Sequence, residues 1–439
     1  MRSWLLRSSL AGLLLVAPGC RSSRNNTTDA GATGEVGIGS AGTGGAGATG
    51  GAGTTGTAGT TGTAGTTGTA GGGAAGTGGA GPFYPLDMND VTILAPLPPA
   101  GAPVLLLATD LADDGTALVP RALYDRVVVD GSGRPLPLLD TAYEALHLVA
   151  VRFDLCDRHL PGDCPATEDA RLRLVFQPIL DASGPMDAGF HAFYTIRNDE
   201  IAGAVAALRD LAMTAPPQSG ALRVSPALGA ADPEPYATKL RAFVRRYGGD
   251  GRVVRLTINA LDLRHQAFVW QLRGVEKQGT AFADIKIVGT TEISQVVTLT
   301  GSPGFNVIPM TDSPSGFQTA MTQTLFDMAD ATRKRELLGA LAAADNPLGH
   351  TAETVPCVAC HVSTVVMAAR AASAAIDPQT LSARYTSTFD LSIAGGQSAQ
   401  TQTTIRALGY LRKVPMISQR VVNDTAQTLA EIERRFPPP

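Results

Sequence analysis

The sequence is poor in the features that usually mark a function. Charge is sparse and nearly balanced: 35 Lys and Arg against 39 Asp and Glu leave a formal net charge of −4. The densest cation cluster, R-K-R at 333–335, falls in a helical pattern and reads as a solvated face. The basic surface that nucleic acid demands is therefore missing, and nucleic acid is excluded as a partner. The chain has no G-x-S-x-G elbow, no Walker loop, no H-E-x-x-H and no dinucleotide fingerprint after a strand. Its leading apolar run, Leu10 to Val16, is too short to span a bilayer as a helix. Cysteine and histidine are scarce, at five and six. That scarcity makes it notable that two cysteines and a histidine stand within five residues at 357–361.

The first residues have a clear purpose. Arg2 and Arg7 precede the apolar run, which ends in small residues and Cys20, as an export signal does. The segment resembles the lipobox of bacterial lipoproteins, although Ala17 and Pro18 depart from the usual leucine-then-small pattern. The resemblance implies a signal peptide over 1–19 and a lipidated Cys20 anchoring the protein in the cell envelope. The alternative is an ordinary secretory signal cleaved near Ala17 or Gly19, with Cys20 left as a thiol; both export the protein. Composition then collapses to Gly, Ala and Thr, with T-T-G-T-A-G repeated at 54–59, 60–65 and 66–71. Without large apolar side chains the segment over 20–81 cannot offset its ordering entropy, and we expect a disordered stalk. A coil of about sixty residues reaches roughly 40–45 Å, which suits a tether.

Over 82–301 we expect an α+β domain with a mixed or antiparallel sheet. Strand-like runs lie at 145–153, 170–176, 189–196, 252–258, 266–272 and 294–300. Two helices interrupt them: one with Ile201, Val205, Leu208 and Leu211 on its face behind Asn198 or Asp199, and one with Leu240, Phe243, Val244 and Tyr247 before Gly248-Gly249. His147, His191 and His265 sit in or beside strand runs and read as structural histidines. From 302 to 439 the pattern turns helical: apolar spacing over 316–344 predicts helix, and Asp424-Thr425-Ala426-Gln427 reads as a capping box opening a last helix to Phe436.

Besides Cys20, the cysteines form two local pairs. Cys156 and Cys164 bracket L-C-D-R-H-L-P-G-D-C around a Pro-Gly turn, and in an exported protein a disulfide is the economical account; a metal site with His159 would lack a fourth ligand. The second pair is Cys357-Val358-Ala359-Cys360-His361. This C-x-x-C-H string resembles the haem-attachment motif of c-type cytochromes. The resemblance covers the motif and at most the hundred residues around it; residues 82–301 resemble no family we can name. It implies a cytochrome c-like helical region carrying one covalent haem c, with Cys357 and Cys360 on the vinyl groups and His361 as proximal iron ligand. It also implies a sixth ligand, for which His350 and Met416, in Val414-Pro415-Met416, are the candidates. A single such motif argues against a multihaem wire or di-haem peroxidase. Two alternatives stay open: a plain Cys357–Cys360 disulfide, or a zinc site of His350, Cys357, Cys360 and His361.

The functional expectation is an envelope-anchored lipoprotein that binds one haem and transfers electrons to an unknown redox partner. The alternative is a non-redox, ligand- or partner-binding lipoprotein in which Cys357–Cys360 is a structural disulfide. Whether any catalysis occurs is left open by the sequence. The anchor is testable directly. A bacterial host expressing the chain should incorporate labelled palmitate into it, and Cys20→Ser should abolish the label and move the protein out of the membrane fraction; label persisting in that variant would refute lipidation.

Overall fold

The computed structural model describes residues 85–98, 105–160, 164–215, 218–265, 268–301, 304–310, 316–351, 353–394 and 405–437. The chain divides into two units, 1–75 and 76–439, and every described residue belongs to the second. The expected export signal over 1–19, Cys20 and the expected stalk over 20–81 lie outside the described residues.

Alternating side chains build one large sheet. Its strands are β1 (Thr92–Leu94), β2 (Leu146–Asp154), β3 (Ala170–Pro178), β4 (Ala188–Ile196), β5 (Val253–Leu261), β6 (Val269–Gln278), β7 (Ala281–Asp284), β8 (Ser294–Gly301) and β9 (Gly304–Ile308). The order is β1-β2-β3-β4-β5-β6-β8-β9, with β7 paired to β6, and every pairing is antiparallel. Sequence neighbours are mostly spatial neighbours, with the helices inserted between β1 and β2 and between β4 and β5. Of the two sheet types expected, the antiparallel one forms. The sheet does not stop at Gly301: β9 lies past the expected change to a helical region.

Among the described residues four α-helices precede β5: α1 (Met88–Val91), α2 (Arg121–Val127), α3 (Ile201–Ala212) and α4 (Glu234–Tyr247). The faces expected on α3 and α4 are buried, and they join Leu172, Leu174, Phe176, Phe190, Tyr194, Leu256 and Ile258 in one apolar core. Asn198 and Asp199 form a 3-10 turn, and Glu200 rather than either of them is the residue before α3.

The opposite sheet face is polar. Because side chains alternate, Arg152 and Asp154 of β2, Arg171, Arg173 and Gln177 of β3, His191 of β4, and Arg255 and Asn259 of β5 share it. Such a row usually meets water. Here all but Arg173 are buried, because the rest of the chain lies over them.

That covering layer contains α5 (Phe317–Met321), α6 (Gln323–Met328), α7 (Ala331–Ala344) and α8 (Ala359–Ala374), then a hairpin of β10 (Leu408–Leu411) and β11 (Val414–Ile417), and finally α9 (Gln419–Arg435). A second apolar core joins Trp270, Leu272 and Val297 of the sheet to Phe317, Leu338, Leu341, Val358 and Val362. The expected helix over 316–344 is three pieces, the last capped by the Asp330 side chain on Arg333 N at 2.8 Å. The last helix starts at Gln419 with Ser418 as its cap, five residues before the expected Asp424; Asp424 instead lies inside α9 as an ion-pair partner. With β9 and the β10–β11 hairpin in this region, the fold does not show a cytochrome c-like helical module.

The hairpin and α9 close the structure on itself. Gln177 donates to Tyr410 O (2.8 Å) and accepts from Tyr410 N (2.6 Å), and the Thr92 and Thr425 hydroxyls stand 2.7 Å apart. Near this junction, burial pushes the carboxyl of Asp90 up to about 7, opposed by the Asp87 N–H that it accepts. The folded state thus binds the proton more tightly than the unfolded chain, and Asp90 lowers stability as pH rises from about 4 to about 7. Asp90→Asn, which keeps an acceptor, should therefore gain on the wild type across that window, by up to about 1.4 kcal/mol per pH unit. Urea-unfolding midpoints at pH 5 and pH 8 check this; a pH-independent difference would contradict it.

Candidate functional site

The C-x-x-C-H string forms the tight turn that starts α8. Pro356 O accepts the Ala359 N–H at 2.9 Å, and Val358 O accepts those of His361 (2.9 Å) and Val362 (3.0 Å). Residues three apart on such a turn share a side, so Cys357 and Cys360 are neighbours without having to touch. They are free thiols: the alternative of a Cys357–Cys360 disulfide does not form here. Burial raises both, Cys357 to about 11, so each is a neutral thiol near neutral pH and not a thiolate nucleophile.

The sheet holds this turn from below. Gln295 of β8, fully buried, accepts the Val358 N–H at 3.0 Å and donates to Pro309 O at 2.8 Å. Asn259 of β5 places its amide nitrogen 3.1 Å from Ile405 O and 2.8 Å from His361 Nδ1. His361 Nδ1 itself lies 2.6 Å from that carbonyl. A carbonyl can only accept, so the shorter contact calls for the proton on Nδ1 and leaves Nε2 with its lone pair; the Asn259 amide, a donor already given to the same carbonyl, then adds no hydrogen bond to the ring. Burial, aided by the Arg406 charge, pushes the imidazole down to about 4 against the pull of the Ile405 hydrogen bond. His361 is therefore neutral across the physiological range. Arg406 is fixed in turn: it pairs with Asp187 at 2.8 Å, which also accepts from Trp270 Nε1 at 2.9 Å, and it crosses Gly189, where a Cβ would clash with its guanidinium.

Cys360 borders a cavity of about 90 Å³ walled largely by ions. Arg152 pairs with Asp154 (2.5 Å) and Asp424 (3.2 Å), Arg173 with Asp154 (3.1 Å) and Asp157 (3.0 Å), and Arg420 with Asp424 (2.7 Å). Burial opposes ionisation of Asp424, but Arg420, Arg152 and Arg173 outweigh it and hold the carboxyl below its ordinary value. For Asp154 the balance tips the other way, and burial wins over Arg152 and Arg173. The cavity has room for a few waters and is far smaller than the 300 Å³ or more that organic ligands occupy, so no macrocycle enters it without displacing wall side chains.

Of the other expected residues, Cys156 and Cys164 form the anticipated disulfide, with Cα atoms 5.9 Å apart. His159 pairs with Glu168 at 3.4 Å, away from any metal arrangement. His350 is partly exposed, with Nδ1 3.2 Å from the Thr354 hydroxyl, and borders the Cys360 cavity. Met416 is buried in β11 opposite Gly409 and belongs to neither apolar core. Among the described residues, no three His, Cys, Asp or Glu side chains converge as metal donors, so the zinc set of His350, Cys357, Cys360 and His361 is not assembled.

Asn259, Gln295, Ile405 and the Arg–Asp cluster were not anticipated as parts of the site. Their only signal in the sequence is polar residues recurring at alternate strand positions, as in A-R-L-R-L-V-F-Q at 170–177. By chemistry the donor set matches a covalent haem, with two unjoined thiols one turn apart and one neutral imidazole whose Nδ1 lies on a carbonyl, but the space beside Cys360 holds the macrocycle only if wall side chains move. No protein-family model matches this chain, and no curated protein or solved structure shows significant similarity to it.

Proposed function

We propose that this is an exported, lipid-anchored protein that binds one covalent c-type haem and passes single electrons at the cell envelope. The observation that carries the reading is the 2.6 Å contact between His361 Nδ1 and Ile405 O. It favours the tautomer whose Nε2 lone pair could serve a metal, in the residue that ends a C-x-x-C-H turn with free thiols. Cys357 and Cys360 would hold the haem through thioether links, and His361 would be the proximal ligand. His350 and Met416 remain the candidates for the sixth position raised by the sequence. When bound, the iron supplies the one-electron chemistry.

The chain's own contribution is orientation and environment. Gln295 and Asn259 pin the turn to the sheet, the carbonyl of Ile405 orients the imidazole and strengthens it as a donor, and the surrounding protein keeps it neutral. The electron would pass to or from a partner protein, while the Gly/Ala/Thr segment tethers the body to the membrane. The rival reading, a non-redox binding lipoprotein stapled by Cys357–Cys360, draws no support from two unjoined thiols.

Expression in a host with a cytochrome c maturation system should give a band that stains for haem after denaturing electrophoresis. Cys357→Ala combined with Cys360→Ala should lose the stain while the protein still accumulates. A colourless wild-type band, from a host that matures a control cytochrome, overturns the proposal.

A further inference from the structure

A second cavity, of about 500 Å³, lies between the start of β2, the segment that follows β1 and the first turns of α4. It shares no lining residue with the cavity beside Cys360. Its volume falls in the range of small-molecule sites, whose walls are mostly apolar with a few polar groups. This wall has that make-up. Leu97, Leu105 and Leu228 pack on the first apolar core yet stay partly exposed, and with Val149 and Ile179 they leave apolar surface on the cavity. Among the described residues of the wall only His147, Glu234 and Arg241 titrate. Burial lowers the His147 imidazole, which is therefore neutral at pH 7. Arg241 donates Nη2 to Glu234 Oε2 at 2.5 Å and to the Thr238 hydroxyl at 3.2 Å. Hydrogen bonds from Arg241 and Thr238 hold the Glu234 carboxyl below its ordinary value, so this pair is ionised and its charges cancel. Nε and Nη1 of Arg241 are left without a hydrogen bond to any described residue, on a side chain that is 25% exposed.

The wall thus combines apolar surface, no net charge and a guanidinium with N–H groups to spare. We propose that this cavity binds an uncharged, mainly apolar small molecule with one carbonyl group, which accepts a hydrogen bond from Arg241. A hydrocarbon would leave that donor unanswered, and a carboxylate would meet the like charge of Glu234 on the same guanidinium. The inference stands apart from the haem reading: β2 and α4 pack in the first apolar core, whereas Val358 and Val362 of the C-x-x-C-H segment belong to the second. It gives the sheet domain over 82–301 a ligand of its own.

The test uses the full chain carrying Cys20→Ser, free of lipid and detergent, with benzophenone as the uncharged carbonyl probe. Calorimetry should show one saturable site. Diphenylmethane, which has the same outline without the carbonyl, and benzophenone-4-carboxylate should each bind roughly tenfold more weakly. Irradiation should then join benzophenone to C–H groups in peptides covering 95–98 or 228–241, located by mass spectrometry. Ala230→Trp, at an exposed wall position, should fill the cavity and abolish both signals with an unchanged thermal midpoint. Arg241→Met, which keeps the length of the side chain, should weaken benzophenone to the level of diphenylmethane and leave diphenylmethane unchanged; should Ala230→Trp lower the thermal midpoint, this comparison decides alone. No saturable site, photoadducts confined to other peptides, or binding untouched by Ala230→Trp in a folded protein would overturn the inference. So would a preference for benzophenone over diphenylmethane that survives Arg241→Met, or tighter binding of the carboxylate. The haem stain is indifferent to all of these outcomes.

Discussion

Everything in this molecule depends on a polar sheet face that has been taken out of water. An arginine or aspartate moved from water to the interior loses several kcal/mol of solvation unless a partner replaces it. Arg152, Asp154, Arg255 and Asn259 are all buried in this way, and much of what compensates them comes from the C-terminal third of the chain. Asp424 meets Arg152, Glu353 meets Arg255 at 3.1 Å, Ile405 accepts from Asn259, and Arg406 reaches Asp187. Neither part could be removed without stranding charges on the other.

The same constraint shapes the C-x-x-C-H turn. A motif of five residues has little surface of its own to fix its orientation, and here the orientation is imposed by sheet side chains 63 and 102 residues away and by a carbonyl 44 residues on. Gln295 holds Val358 and Asn259 braces the carbonyl that orders His361. The arginines beside Cys360, Arg152, Arg173 and Arg420, are balanced by Asp154, Asp157 and Asp424, so the site is polar without carrying a large net charge.

Legibility followed the range of the interactions. Strands β2 to β5 and helices α3 and α4 were readable because alternation and helical periodicity are local, and each apolar face found a core. The start of α9 was misread because Asp424-Thr425-Ala426-Gln427 has the local form of a cap, whereas Asp424 is claimed by Arg420 and Arg152; only the packing could show that. The β10–β11 hairpin was missed for a related reason. Its strands are four residues each, and Tyr410 is held by Gln177 from β3, 233 residues earlier.

By itself the sequence determined a sheet domain with inserted helices, the Cys156–Cys164 link and the C-x-x-C-H spacing, because each depends on residues near one another in the chain. Tertiary structure alone decided that the polar face of the sheet is buried, that the C-terminal residues complete it, and that His361 meets Asn259 there. Those outcomes turn on desolvated charges finding partners across hundreds of residues, and no local pattern carries that information.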